Sequence, residues 1–242
     1  MDFLKTLPDV KKVVMILSGG LDSTIAMRLA VERYGAENVS ALTFNYGQKQ
    51  SVEIERAKQS TAYLGVTHKV IDASFLGAIS QGFSANVDTD IAMPTIKDVI
   101  GDPRPKTYVP NRNMILLSIA AAYAETVDAE AIFCGLQATD EYSYHDTTPR
   151  FVGKLNDVLD ENRILKIKIY APFATLSKRD ELKLLAEIDD MKLVEYTLTC
   201  YNPDSDHKSC GKCPSCAERI SAFMANKIKD HIPYSVNIPW VE

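Results

Sequence analysis

At 242 residues, with 46% apolar and 24% charged residues, the chain suits one large α/β domain, or one domain with a small appendage. Its net charge of −5 argues against a protein that tracks a nucleic-acid backbone, and for a small-molecule substrate. The longest apolar run, residues 114–124, is about half of the ~20 residues a membrane-spanning helix needs, and Met1-Asp2-Phe3-Leu4-Lys5 lacks the pattern of an export signal. Four of the five cysteines fall between Cys200 and Cys216, which suits a metal site in a cytoplasmic protein better than a disulfide framework.

Apolar β-branched runs alternate with helical stretches. Residues 13–17 are expected as a buried strand, 23–34 as a helix closed by Gly35, and 39–44 as a second strand. The next helix places Ile54, Ala57, Thr61 and Leu64 on one face and stops at Gly65. Strands are expected at 68–71, 131–134 and 164–171. Residues 76–110 break the rhythm with Pro94, Pro103, Pro105 and Pro110, as a lid or binding loop would. The helix over 113–125 is apolar almost all round, which places it in the core or at a subunit interface. Ser177-Lys178-Arg179-Asp180 starts a later helix with a capping box in which Asp replaces the usual Glu. After Cys200 come a cysteine loop and a helix with Ile220, Phe223, Met224 and Ile228 inward. The alternation predicts a Rossmann-like parallel sheet with helices on both faces, over residues 1–195, and a small metal-binding module over 196–242.

Ser18-Gly19-Gly20-Leu21-Asp22-Ser23 lies between a buried strand and a helix start. Glycines let the backbone approach an anion, the turn's N–H groups point at it, and the helix dipole and serine hydroxyls assist. Asp22 would repel phosphate directly, so its sensible role is to hold Mg²⁺ that bridges phosphate oxygens. No Gly-Lys-Ser/Thr follows, so this is not a Walker A loop. Cys200, Cys210, Cys213 and Cys216 supply four thiolates at a spacing that suits tetrahedral Zn²⁺. An iron–sulfur cluster is the rival, but its fourth cysteine usually lies downstream and before a proline. Cys134 reads as a small apolar core residue.

The phosphate loop resembles that of the N-type ATP pyrophosphatases, whose fold is adenine nucleotide alpha hydrolase-like. Within that superfamily, Thr199-Cys200-Tyr201-Asn202 and Ser209-Cys210-Gly211-Lys212-Cys213-Pro214-Ser215-Cys216 resemble the 7-cyano-7-deazaguanine synthase family. Phe44-Asn45-Tyr46-Gly47-Gln48-Lys49, Tyr108-Val109-Pro110-Asn111-Arg112-Asn113 and Leu176-Ser177-Lys178 agree with it. The stretch 140–150 departs from it, with Asp140, Tyr144 and Asp146 as the nearest equivalents of the family's residues there. The resemblance implies that 7-carboxy-7-deazaguanine is adenylated by ATP, converted by ammonia to the amide, and adenylated again to leave the nitrile. It implies catalytic roles for Asp22, Ser23, Lys178 and Arg112, with Lys49 a further candidate cation. ATP and pyrophosphate would be held by Leu17, Ser18, Gly19, Gly20, Leu21, Asp22, Ser23 and Phe44. The substrate would meet Tyr46, Gln48, Asn111, Arg112, Asp140 and Tyr144. One structural zinc, Mg²⁺ with ATP, nitrogen from free ammonia or from a partner protein, and a homodimer are expected, with no nucleic-acid or membrane partner. An enzyme that stops at the amide and a tRNA-modifying relative are the alternatives.

Overall fold

The computed structural model describes residues 2–49, 52–94, 105–137 and 144–240. Five parallel strands form one sheet in the order β3-β2-β1-β4-β5: Val13–Ile16 (β1), Val39–Asn45 (β2), Thr67–Asp72 (β3), Ala131–Cys134 (β4) and Lys168–Tyr170 (β5). In register, Val13 faces Val39 on one side and Ala131 on the other. The chain therefore winds outward from β1 in one direction and then in the other. The resulting crevice between the carboxyl ends of β1 and β4 is where an open α/β sheet binds its ligands.

Helices cover both faces, as the period-two alternation of β1 requires. Val13, Met15 and Leu17 pack with Ile25, Met27 and Leu29 of α1 (Leu21–Tyr34) and Ala57 of α2 (Val52–Leu64). Val14 points the other way. It meets Leu117 and Ala120 of α4 (Arg112–Thr126) and Val152 of α5 (Pro149–Leu159). The apolar helix after Asn111 is thus a core helix, with Leu116, Leu117, Ala120, Ala121 and Ala124 buried. A short α3 (Phe75–Ile79) interrupts the proline-rich stretch.

Helix α6 (Lys178–Glu187) begins at the predicted cap: the Ser177 hydroxyl oxygen accepts from the Asp180 N–H, and the Asp180 carboxylate accepts from that hydroxyl at 2.6 Å. Such a cap typically contributes about 1 kcal/mol. Leu182 and Leu185 of α6 and Phe223 of α7 (Pro214–Ala225) join the α1 side of the core. The predicted fifth strand is shorter than expected. Pairing covers only Ala131–Lys168 to Phe133–Tyr170, and Ile164 is 91% exposed. Residues 164–167 precede the first pairing, between Ala131 of β4 and Lys168. Helix α5 has no counterpart among the predicted elements, although Thr148 caps it, Pro149 opens it, and Phe151, Val152, Leu155 and Leu159 share a face.

Candidate active site and metal centre

The crevice holds a cavity of about 370 Å³, lined from the carboxyl ends of β1, β2 and β4, from the start of α4, and from the cysteine module. Its floor is the phosphate loop. Gly19 turns at φ +85°, and a Cβ there would stand 2.1 Å from the Glu53 carbonyl oxygen, so no other residue fits. The Ser23 hydroxyl accepts from the Ser18 N–H at 3.2 Å and donates to the Gly20 carbonyl at 3.3 Å. The Ser18 hydroxyl oxygen accepts from the Gly20 N–H at 3.2 Å. The loop leads into the first turn of α1, and a helix N-terminus is a place where anions are favoured. On the far side Gly135 approaches so closely that a Cβ would lie 3.0 Å from the Ser23 nitrogen.

Lys178 reaches across from α6 and donates to both Asp22 carboxylate oxygens at 2.7 Å. Burial alone would lower the Lys178 pKa, but Asp22 and then Glu181 outweigh it and leave it raised. Glu181, one turn along α6, is fully buried and receives a hydrogen bond from the Gln137 amide. Burial, then the nearby Asp22 charge, pushes its carboxyl well above the ordinary range, with Lys178 partly opposing.

The opposite end is aromatic. Arg112 donates to the Tyr46 hydroxyl at 3.3 Å with its guanidinium 5.6 Å from that ring's centre. Burial would lower the Arg112 pKa, and Tyr46 foremost keeps it raised. Tyr108 and Tyr144 stack at 5.9 Å, and Tyr144 shares a hydrogen bond with Thr107. Tyr201 adds a fourth ring from the cysteine module, with Thr199, Ser215 and Glu218 beside it. A fixed cation among flat rings is suited to a planar heterocycle that bears an acid.

The structure brings Leu17, Ser18, Gly20, Asp22, Ser23, Phe44, Tyr46, Gln48, Arg112 and Tyr144 to this cavity, with Lys178 joined to it through Asp22. Gly19 and Leu21 serve the loop from behind, Gly19 against Glu53 and Leu21 in the core. Gln48 turns its side chain inward, accepting from the Tyr46 N–H and donating to the Phe44 carbonyl. Asn111 is exposed at the cap of α4 with φ 52°, and Lys49 is engaged by the Ile91 carbonyl at 2.8 Å. Asp140 lies outside the described residues. Cys134 is buried, its thiol pushed up to about 12 by burial, so it stays protonated. Glu53, Gln137, Glu181, Glu218, Tyr108 and Tyr201 are additions from the structure. Lys178 to Glu181 is an i,i+3 step and Tyr201 adjoins Cys200, but neither spacing singles out a side chain before the fold is known.

The four Sγ atoms of Cys200, Cys210, Cys213 and Cys216 lie within 4.8 Å of one another. The Cys210 and Cys216 sulfurs are 4.0 Å apart. Tetrahedral thiolates at zinc–sulfur distance stand about 3.8 Å apart, whereas a cubane cluster holds its thiolates wider. Backbone N–H groups of Asn202 and Cys210 point at the Cys200 sulfur, those of Lys212 and Cys213 at Cys210, and that of Cys216 at Cys213. Such donors orient and stabilise metal-bound thiolates. The thiols also compete for protons: hydrogen bonding with Cys200 pushes Cys213 down and Cys216 up.

A five-stranded parallel sheet with helices on both faces, a glycine-rich strand-to-helix loop at its switch point and a Cys₄ cluster able to hold a metal define the class. The family described as "Queuosine biosynthesis protein QueC" matches residues 12–227, and the chain belongs to it. It is 40% identical over 225 residues to the 7-cyano-7-deazaguanine synthase of Pseudoalteromonas atlantica, covering 93% of this chain and 99% of that one. It is 35% identical over 234 residues to the enzyme of that name from Methanocaldococcus jannaschii, covering 92% and 99%. Among solved structures it is similar to the U34-tRNA thiolase NcsA from Methanococcus maripaludis with its [4Fe-4S] cluster, at TM-score 0.47 and 18% identity over 74% of this chain and 56% of that one. No helix among the described residues is long and apolar enough to cross a membrane.

Proposed function

We propose that the chain is a ligase that converts 7-carboxy-7-deazaguanine and ammonia to 7-cyano-7-deazaguanine, cleaving ATP to AMP and pyrophosphate. The reading rests on family membership and on one observation: a phosphate loop with its Lys178–Asp22 pair faces an Arg112 site ringed by tyrosines across a single cavity. Arg112 holds the substrate carboxylate while Tyr46, Tyr108, Tyr144 and Tyr201 flank its flat rings. The phosphate loop takes the departing pyrophosphate, and Ser18 and Ser23 donate to it. Asp22 is the ligand for the Mg²⁺ that accompanies ATP, a charge that neutralises the phosphates. Lys178, released from Asp22, stabilises charge at the α-phosphate. Catalysis is then mostly positioning and fixed electrostatics. Cys200, Cys210, Cys213 and Cys216 hold one Zn²⁺, supported by their close sulfur spacing, and its role is to fix the Tyr201 and Ser215 wall.

The amide is an intermediate on this reading, because its oxygen can take a second AMP in the same cavity. Mass spectrometry of products from 7-carboxy-7-deazaguanine, ATP, Mg²⁺ and ammonium tests it. The nitrile is expected, with two AMP per product. Amide that reaches a plateau, with one AMP per product, would show an enzyme that stops one step earlier. Release of ADP would reject the reaction class.

A further inference from the structure

The cavity wall carries a carboxyl that the roles above do not use. Glu53 stands in the first turn of α2, half-buried, and borders the cavity. Its side chain makes no hydrogen bond or ion pair with any described residue. Its neighbour in the same turn, Glu55, differs: it is exposed and pairs with Lys58 at 2.6 Å. The backbone of Glu53 is pinned, because its carbonyl presses on Gly19 where a Cβ would stand 2.1 Å away. Its side chain is therefore delivered beside the phosphate loop by a contact that Gly19 alone permits. The charged and titratable groups that act on it are Arg112 and Tyr46, the pair that ends the substrate side of the cavity. Burial pushes the Glu53 carboxyl up to about 8, with Arg112 partly opposing.

These placements answer a need of the proposed reaction, on which this inference rests. At neutral pH ammonia is present mainly as ammonium, which has no lone pair to attack with. The cavity must hold a small cation beside an activated acyl carbon and take a proton from it. We propose that Glu53 binds the ammonium ion and accepts its proton, delivering ammonia to the adenylated carboxyl. One N–H bond breaks and the proton passes to the Glu53 carboxylate. The freed lone pair forms the C–N bond at the acyl carbon, and the C–O bond to AMP breaks with its electron pair on AMP. The nitrogen sheds a further proton to solvent, leaving the neutral amide. A carboxyl whose affinity for protons lies near neutrality is suited to take a proton and release it in each cycle.

Glu53→Gln separates this role from adenylation. In the holoenzyme, substrate-dependent exchange of labelled pyrophosphate into ATP reports adenylation alone, and amide formation from ammonium reports the nitrogen step. Glu53→Gln should keep exchange within a few-fold of wild type while amide formation falls about 10²-fold or more, the usual size of a lost general base. Hydroxylamine, largely neutral at the same pH, needs no proton acceptor. The variant should form hydroxamate at close to the wild-type rate. Wild-type use of ammonium by Glu53→Gln would overturn the proposal. So would equal loss of exchange and amide formation, which would make Glu53 part of adenylation or of the fold. Loss of ammonium use without recovery by hydroxylamine would also reject the proton-accepting role. A wild-type enzyme without exchange would instead refute the adenylation reading itself, and this inference with it.

Discussion

The two walls of the cavity are held by different physics. The phosphate loop is fixed by the fold: β1 is buried on both faces, Gly19 abuts Glu53, Gly135 abuts Ser23, and the Leu17 N–H bonds to Leu42 at 2.9 Å. The cysteine module has little apolar core, with Leu198, Cys200 and Cys216 forming its own small cluster. It is tied down by a fully buried ion pair, beside four cysteines placed to hold a metal. Arg219 donates to Asp230 at 2.6 Å and 3.1 Å, and to Thr197 at 2.7 Å. Both walls offer atoms to the same cavity. Precision on one side comes from packing, and on the other from paired charge and, on the proposed reading, from coordination.

The contrast breaks most visibly at Asp22. Asp22→Ala should lower pyrophosphate release by about 10²-fold or more, the scale of losing a key electrostatic group. Metal content should stay intact, because the other wall does not depend on it. A variant that kept over a tenth of wild-type rate would refute the role given to Asp22. On the module side, Arg219→Ala leaves Asp230 buried without its partner, and should destabilise the protein by about 3–5 kcal/mol. Replacing both members, Arg219→Met with Asp230→Leu, should recover much of that loss in urea unfolding. If the double variant is no more stable than the single one, the ion pair is not the source of the cost.

Metal removal sharpens the comparison at smaller scale. Chelation should release about one zinc per chain and raise KM for the deazaguanine roughly tenfold, the low end for disturbing a metal's surroundings. KM for ATP should change less, since the phosphate loop is held by the sheet. Iron in place of zinc, or equal effects on both substrates, would contradict this division.

The smallest effect concerns His68, which supports the loop from β3. Its Nε2–H donates at 2.8 Å to the Thr43 hydroxyl, which itself donates to the Leu17 carbonyl. Burial, then Lys58, lowers its pKa below the ordinary 6.5. The unfolded chain then binds the proton more tightly than the native one, so native stability is retained above 6.5 and falls as pH drops toward the depressed value. His68→Gln should flatten that fall in the urea midpoint, and an unchanged slope would remove His68 from the account.

What could be read in the sequence follows the same divide. The loop from Ser18 to Ser23 and the four cysteines are contiguous or nearly so, and their chemistry is carried by local spacing. Strands β1 and β4 were legible because both faces are buried, which leaves continuous apolar runs. Glu53, Glu181 and Tyr201 were not legible as site residues, because each acquires its neighbours only when separate helices and loops meet at the crevice. Helix α5 escaped because its apolar positions follow a proline and two threonines that read as loop. The fifth strand read too long because Ile164 is apolar yet lies outside the sheet.

The central claim is transfer of AMP to an oxygen of the substrate carboxylate. Its most direct test uses 7-carboxy-7-deazaguanine labelled with ¹⁸O in the carboxyl group, with ATP, Mg²⁺ and ammonium, and mass spectrometry of the nucleotide products. The account predicts one labelled oxygen in AMP, and unlabelled pyrophosphate. Label in pyrophosphate or inorganic phosphate, or AMP formed without label, would contradict it.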